Sequence, residues 1–291
     1  MATWTVADMP AQSGRTVVVT GANSGVGLAT AAAFAVAGAR VILACRNVDK
    51  GKSAAATLAD TVEVRALDLA SLASVREFAS SIDEPVDVLV NNAGVMAVPY
   101  RRTAEGFELQ IGTNHLGHFA LTGLLLDRIR QRVVTVSSSF HWFGQVNVDD
   151  LNWEQRRYRR WAAYEQSKLA NLLFTYELAR KLEAAGSQVG SYAAHPGYAS
   201  TNLQSHTETL LDTVLSLGNR LVAQSATMGA LPTLYAATVD MPNGSFVGPG
   251  GITGHYGYPK VIRSSQASHD REKAANLWSL SEKLTGVTYA L

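Results

Sequence analysis

Short β-branched runs alternate with longer Ala- and Leu-rich segments through the first two thirds of the sequence, and few folds accept that pattern. Residues 17–20, 41–45, 62–67, 86–90, 133–136 and 189–194 read as strands. Between them 26–37, 48–59, 71–82, 103–130 and 161–182 read as helices, with Val75, Phe78 and Ile82 at helical spacing. Strands that alternate with helices call for right-handed βαβ crossovers and a parallel sheet. The strands are almost wholly apolar, as a sheet covered by helices on both faces requires. The spacing therefore predicts an α/β chain with a doubly wound parallel sheet. No linker rich in Pro, Gly or Ser and no internal repeat divides the 291 residues, so 1–291 reads as one domain. Two stretches, 140–161 and 203–224, break the alternation. Insertions after strand C-termini border the ligand crevice of such a sheet, so both are expected to wall a substrate pocket.

Composition narrows the classes of function. Lys plus Arg number 25 and Asp plus Glu 24, a net charge of +1, which argues against a nucleic-acid or anionic-membrane binder. The single Cys45 excludes an intramolecular disulfide and a thiolate zinc site. No run approaches the ~18 apolar residues of a membrane span, and the N-terminal stretch has no signal-peptide pattern, so a cytoplasmic protein is expected. His115, His118 and His141 lack metal-binding spacing, so no metal is expected. They read as packing or hydrogen-bonding residues, with His141 near the expected pocket. Arg156, Arg157, Arg159 and Arg160 read as a solvated loop, with contact to an anionic substrate or a membrane surface as the alternatives.

Four short stretches carry chemistry. The first strand runs into Thr20-Gly21-Ala22-Asn23-Ser24-Gly25-Val26-Gly27 and directly into a helix. Glycines there permit a tight turn and let a pyrophosphate approach the free amides of the helix N-terminus. The second strand ends at Cys45-Arg46, where an NAD site normally carries an acid; a cation suits a ribose 2′-phosphate instead. Tyr164 and Lys168 stand four residues apart on one helical face. A phenol with an ordinary pKa of ~10 needs such a cation before it can act as a base near neutrality. Ser137, Ser138 and Ser139 end the fifth strand, on the side where substrates bind, and Asn114 lies inside a helix that Asn disfavours.

Together these residues resemble the short-chain dehydrogenase/reductase family over most of the chain, and most of all its retinol dehydrogenase and protochlorophyllide reductase-like branch. The family's T-G-x-x-x-G-x-G matches Thr20 to Gly27, its N-N-A-G matches Asn91 to Gly94, and its Asp-Leu matches Asp68-Leu69. Further branch-like stretches are ACRN, RALDLASLASVREFA, YEQSKLANLLF and HPGYAST. The resemblance implies a Rossmann-type fold and hydride transfer between NADP(H), with NAD(H) as the lesser option, and the carbonyl or secondary alcohol of a small apolar substrate. It implies Asn114, Ser138, Tyr164 and Lys168 as the catalytic set. It implies cofactor contacts from Gly21, Asn23, Ser24, Gly25, Val26, Gly27, Arg46, Asp68, Leu69, Asn91, Ala93, Gly94, Tyr164, Lys168, Pro196, Gly197 and Thr201. Segments 103–130 and 161–182 resemble the family's subunit-contact helices, so a homodimer or homotetramer is expected. Reduction of C=C on the same scaffold, or NADP(H) sensing without turnover, are the alternatives. Tyr198, Trp142 and Phe143 suggest an apolar or aromatic ligand.

Overall fold

The computed structural model describes residues 3–197, 225–251 and 254–291. Thr201, Tyr198 and the expected pocket stretch 203–224 lie outside the described residues. Eight strands form one sheet in the order β3-β2-β1-β4-β5-β6-β7-β8. They are β1 (Thr16–Thr20), β2 (Arg40–Cys45), β3 (Val62–Ala66), β4 (Val86–Asn91), β5 (Ile129–Val136), β6 (Gly190–Ala194), β7 (Phe246–Pro249) and β8 (Pro259–Val261). All neighbours pair parallel except β8, which runs antiparallel on β7. Strand order reverses at β1, flanked by β2 on one side and β4 on the other. That reversal opens a crevice at the strand C-termini, between the loops that follow β1 and β4.

Successive side chains of each strand serve opposite faces. Val18, Ile42, Leu89 and Val133 join one core, packed by α3 (Leu72–Ser80), α4 (109–125) and α5 (Arg160–Ala184). Val17, Val19, Val41, Leu43 and Val134 join a second core, packed by α1 (Gly25–Val36) and α6 (Ala226–Thr238). This two-sided burial is why the strands carry no polar alternation. α2 (Val48–Ala55) lies against β3, where an added Cβ on Gly51 would come within 2.7 Å of Val64.

The helix expected over 103–130 is shorter and composite. Residues up to 108 form a turn closed by the Arg102–Glu108 bridge. α4 then comprises Leu109–Ile111, a π-helical turn Gly112–Leu116 and Gly117–Leu125. Glu108 fixes the start, since its carboxylate accepts the N–H groups of Gln110 and Ile111 at 3.0 and 2.9 Å. β5 begins at Ile129, four residues before the expected strand, because Arg130, Gln131 and Arg132 hide its polar first half. The helix expected over 48–59 stops at Ala55.

α7 (Arg271–Thr285) was not foreseen, and it changes the surface. It lies along α5, and with residues 287–289 it also covers α4. Trp278 stacks on Phe174 at 5.9 Å and meets Phe119 edge-on at 5.1 Å. The Tyr289 hydroxyl donates to the Phe119 carbonyl at 2.7 Å. His115 and Ser281 hydrogen-bond at 2.9 Å across the same contact. The chain's own C-terminal segment thus covers part of the two helices expected to form a subunit contact. No helix among the described residues is long and apolar enough to cross a membrane.

Candidate active site

The loop after β1 is held by one buried hydroxyl. Thr20 Oγ1 accepts the N–H groups of Asn92 and Ala93, each at 2.9 Å, which binds the glycine turn to the loop after β4. Asn92 Nδ2 adds a bond to the Thr20 carbonyl at 2.8 Å. Gly21, at φ +65°, sits so close to Ala93 that a Cβ would meet it at 2.9 Å. His118 closes the network from α4. Its Nδ1 lies 3.0 Å from the Asn114 carbonyl, which can only accept, so Nδ1 carries the proton. The bare Nε2 then receives the Thr20 hydroxyl proton at 2.9 Å. Burial keeps this imidazole neutral, with its pKa pushed down to about 4.

At the start of α1 the N-cap residue Ser24 makes no capping hydrogen bond, and the first turn carries no acid. By contrast Asn47, Ser71, Ser225 and Asp270 cap their own helices with side-chain oxygens. The amides around Gly25, Val26 and Gly27 are therefore open to an anion, as a dinucleotide pyrophosphate requires. Arg46 is exposed at the end of β2 and has no partner among the described residues. The Cys45 thiol beside it is buried against the Ala22 and Asn23 amides, its pKa pushed up to about 11 by burial.

Tyr164, Ser138, Lys168 and Asn114 converge from α5, the end of β5 and the π-turn of α4. Tyr164 is 5% exposed, and burial pushes its phenol up to about 12 while a hydrogen bond with Ser138 pulls it down. Lys168 Nζ lies 5.7 Å from the Tyr164 ring centre and donates to the Val136 carbonyl at 3.1 Å. Burial lowers its pKa to about 8. The Asn114 side chain is fully engaged. Its Oδ1 accepts from Val95 N–H at 2.8 Å, and its Nδ2 donates to the Val95 carbonyl and to Ser167 Oγ, each at 2.9 Å. Gly94 lies between Asn114 and Lys168, where a Cβ would fall 3.1 Å from one and 3.6 Å from the other.

The three adjacent serines separate by role. Ser137 donates to the Lys168 carbonyl at 2.8 Å and is buried, so it ties β5 to α5. Ser138 is the one of the three whose side chain lowers the Tyr164 pKa, which places its hydroxyl beside the phenol. Phe140 stacks on Trp161 at 5.4 Å, and both rings meet Tyr164 at 5.8 and 6.4 Å. These two rings form the aromatic wall beside the phenol, whereas Trp142 and Phe143 are 55% and 72% exposed.

Other expected contacts have mixed placements. Asn91 is turned inward, with Nδ2 donating to Thr122 Oγ1 at 2.9 Å, so its side chain joins β4 to α4. Asp68 Oδ1 accepts from Ala70 N–H at 2.9 Å and shapes the turn after β3, while Leu69 is buried beneath α4. Gly197 follows Pro196 at φ +68°, its N–H donating to His195 Nδ1 at 3.1 Å. Arg156 is no solvated charge. It pairs with Asp150 at 3.2 Å, donates to Gln166 at 2.7 Å and lies 3.7 Å over Trp153. Sequence reasoning missed the Thr20–His118 bond and the Phe140–Trp161 stack; the Thr20 position in the glycine pattern was the one available signal.

Comparison with known proteins gives the same direction. The family model described as short chain dehydrogenase matches residues 15–210. The human protein called retinol dehydrogenase 13 is 43% identical, over 94% of this chain and 85% of its own. A crystal structure of an uncharacterized protein from Mycobacterium paratuberculosis covers both chains fully at 53% identity and a TM-score of 0.88. A gluconate 5-dehydrogenase-like structure from Beutenbergia cavernae with bound NADP is 30% identical, at a TM-score of 0.60. It covers 79% of this chain and 92% of its own.

Proposed function

The chain belongs to the short chain dehydrogenase family, and from that premise we propose that it moves a hydride between NADP(H) and a lipophilic alcohol or its carbonyl partner. It is an oxidoreductase acting on CH–OH or C=O groups with a nicotinamide dinucleotide. The preference for NADP(H) rests on Arg46, a cation with no partner among the described residues, standing after β2 where the ribose 2′-phosphate would lie. The lipophilic substrate rests on the Phe140–Trp161 wall against Tyr164, in line with the name of the human relative.

The observation that carries the reading is the convergence of Ser138 and Lys168 on one buried phenol. NADP(H), when bound, supplies or accepts the hydride. Gly21, Asn23, Ser24, Gly25, Val26 and Gly27 would hold its diphosphate at the α1 N-terminus. Ala93, Gly94, Pro196 and Gly197 would line the path of the nicotinamide half, and Lys168 would bond its ribose. Tyr164 would pass its proton to the substrate oxygen in reduction and take it back in oxidation. Ser138 would hold that oxygen, and the Lys168 ammonium would lower the phenol pKa. Asn114 would keep the segment around Val95 and the Ser167 hydroxyl in register behind Lys168.

Tyr164→Phe tests this directly, with NADPH fluorescence titration beside turnover of all-trans-retinaldehyde. The variant should bind NADPH within about twofold of wild type, because only a hydroxyl is lost. Turnover should fall by ~10²–10⁴-fold, the usual worth of general acid catalysis. Full turnover in the variant would sink the mechanism.

A further inference from the structure

We propose that His141 is a positioning residue that clamps the turn bearing Ser138 and so aims the serine hydroxyl at Tyr164; this rests on the roles of Ser138 and Tyr164 given above. His141 lies in the 3-10 turn Ser139–Phe143 directly after β5 and is 1% exposed. Its main-chain N–H donates to the Ser138 carbonyl at 3.1 Å, and its ring Nδ1 reaches the same oxygen at 2.6 Å. A carbonyl only accepts, so Nδ1 carries the proton. On the other side of the ring the Ser265 N–H donates to Nε2 at 3.1 Å, so Nε2 is bare. Two main-chain partners therefore fix one neutral tautomer. Neither nitrogen is left to touch substrate.

The clamp sets the direction of the Ser138 hydroxyl. Ser138 Oγ accepts the Phe140 N–H at 3.3 Å within the same turn, which leaves its proton for the Tyr164 oxygen. Ser265 is itself anchored. Its carbonyl accepts from the Ser268 hydroxyl at 2.6 Å, and the adjacent Ser264 hydroxyl bonds the Tyr176 hydroxyl at 2.7 Å. Tyr176 lies on α5, three turns beyond Tyr164. A chain of hydrogen bonds thus leaves α5 at Tyr176, passes through Ser264–Ser265 and His141, and ends at Ser138, beside Tyr164. The ring also meets Phe246 edge-on at 5.5 Å, and the other imidazoles in electrostatic reach are His195 and His269. Simple packing would be served equally well by Phe; the paired hydrogen bonds would not.

Three variants separate those roles. His141→Phe keeps the ring and loses both bonds. His141→Asn keeps a donor at the Nδ1 position, and His141→Gln keeps an acceptor near the Nε2 position. Ring-¹³C tyrosine NMR locates the Tyr164 signal, which disappears in Tyr164→Phe. The signal should move in His141→Phe in the same direction as in Ser138→Ala, and by a smaller amount in His141→Asn, which keeps the bond to Ser138 and loses the one to Ser265. His141→Gln, released from Ser138, should follow His141→Phe. With NADPH and all-trans-retinaldehyde, kcat of His141→Phe should fall on the order of 10–100-fold while KM for NADPH holds, as expected for a misplaced catalytic group. A His141→Phe protein with wild-type Tyr164 signal and kcat overturns the clamp. If Tyr164→Phe or Ser138→Ala keeps full turnover, the functional reading fails, and the NMR series still judges the clamp. Should His141→Phe not fold, ¹⁵N spectra of the wild-type imidazole decide. The Nδ1–H tautomer between about pH 6 and 8 supports the clamp; an Nε2–H tautomer or an imidazolium overturns it.

Discussion

Replacing Lys168 by Met should stabilise the unliganded protein near neutral pH while abolishing its activity. The ammonium is buried with one carbonyl partner, and its pKa falls from an ordinary 10.5 to about 8. Below pH 8 the folded chain holds a charge it would rather release, at a cost of roughly 3 kcal/mol against the unfolded chain. Above 10.5 both states are neutral and the cost is gone. Wild-type stability relative to the variant should therefore rise between about pH 8 and 10.5. Met fills a similar volume, and the Val136 carbonyl keeps its other donor, Asn171 Nδ2, at 3.1 Å. The raised pKa of Cys45 acts on both proteins and cancels, and the Tyr164 phenol, pushed up to about 12, stays protonated in both folded proteins at pH 7 and 9.5. Urea unfolding at pH 7 and pH 9.5, without cofactor, measures the difference. The variant should be about 1–3 kcal/mol more stable at pH 7, and less so at pH 9.5. A variant less stable at pH 7, or a difference independent of pH, refutes the argument.

Arg46→Ala should weaken NADPH binding by about 10–100-fold, the worth of a charge-assisted bond of ~1.5–3 kcal/mol, and leave NADH nearly unchanged. Fluorescence titration with both cofactors checks this, and equal losses would make Arg46 structural. Gly117→Ala should destabilise by about 1–3 kcal/mol in urea, since the new Cβ would fall 2.4 Å from the Leu69 carbonyl. Helix propensity alone favours Ala by ~1 kcal/mol, so a stabilised variant would contradict the close approach. Charge substitutions on α4 or α5 should leave the sedimentation coefficient at micromolar concentration unchanged, because α7 covers faces of both helices. A dimer lost on mutating the exposed faces of α4 or α5 would show those faces are open.

Legibility followed the range of the interactions. Val17, Val18 and Val19 announce a strand buried on both faces, because each residue's own environment suffices to demand an apolar side chain. The glycine turn and the Tyr164–Lys168 pair were equally readable, since their spacing in sequence is their geometry. β7 and β8 were not. Four residues ending in Gly-Pro and three beginning with Pro carry no periodicity, and their neighbours in the sheet supply the order. The start of α4 was misjudged because Glu108, a buried carboxylate, spends its oxygens on main-chain amides and the Tyr158 hydroxyl, contacts set by folding. His141 was visible as a residue but not as a clamp, since Ser265 stands 124 positions away. Choosing Ser138 among three serines relied on register; Ser137 proves to be spoken for by the Lys168 carbonyl.

The ring cluster beneath α7 also orders events in time. Tyr289 reaches back 170 residues to the Phe119 carbonyl, and Ser281 reaches back 166 to His115. During synthesis the sheet and its first helices can assemble early, but the outer faces of Phe119 and Phe174 wait uncovered until residues 271–289 have been made. A nascent chain therefore carries a hydrophobic face that only its own later sequence can hide. Such a face is the kind of surface that chaperones hold and that crowded polysomes join by mistake. Slow translation between residues 184 and 271 would lengthen that exposure.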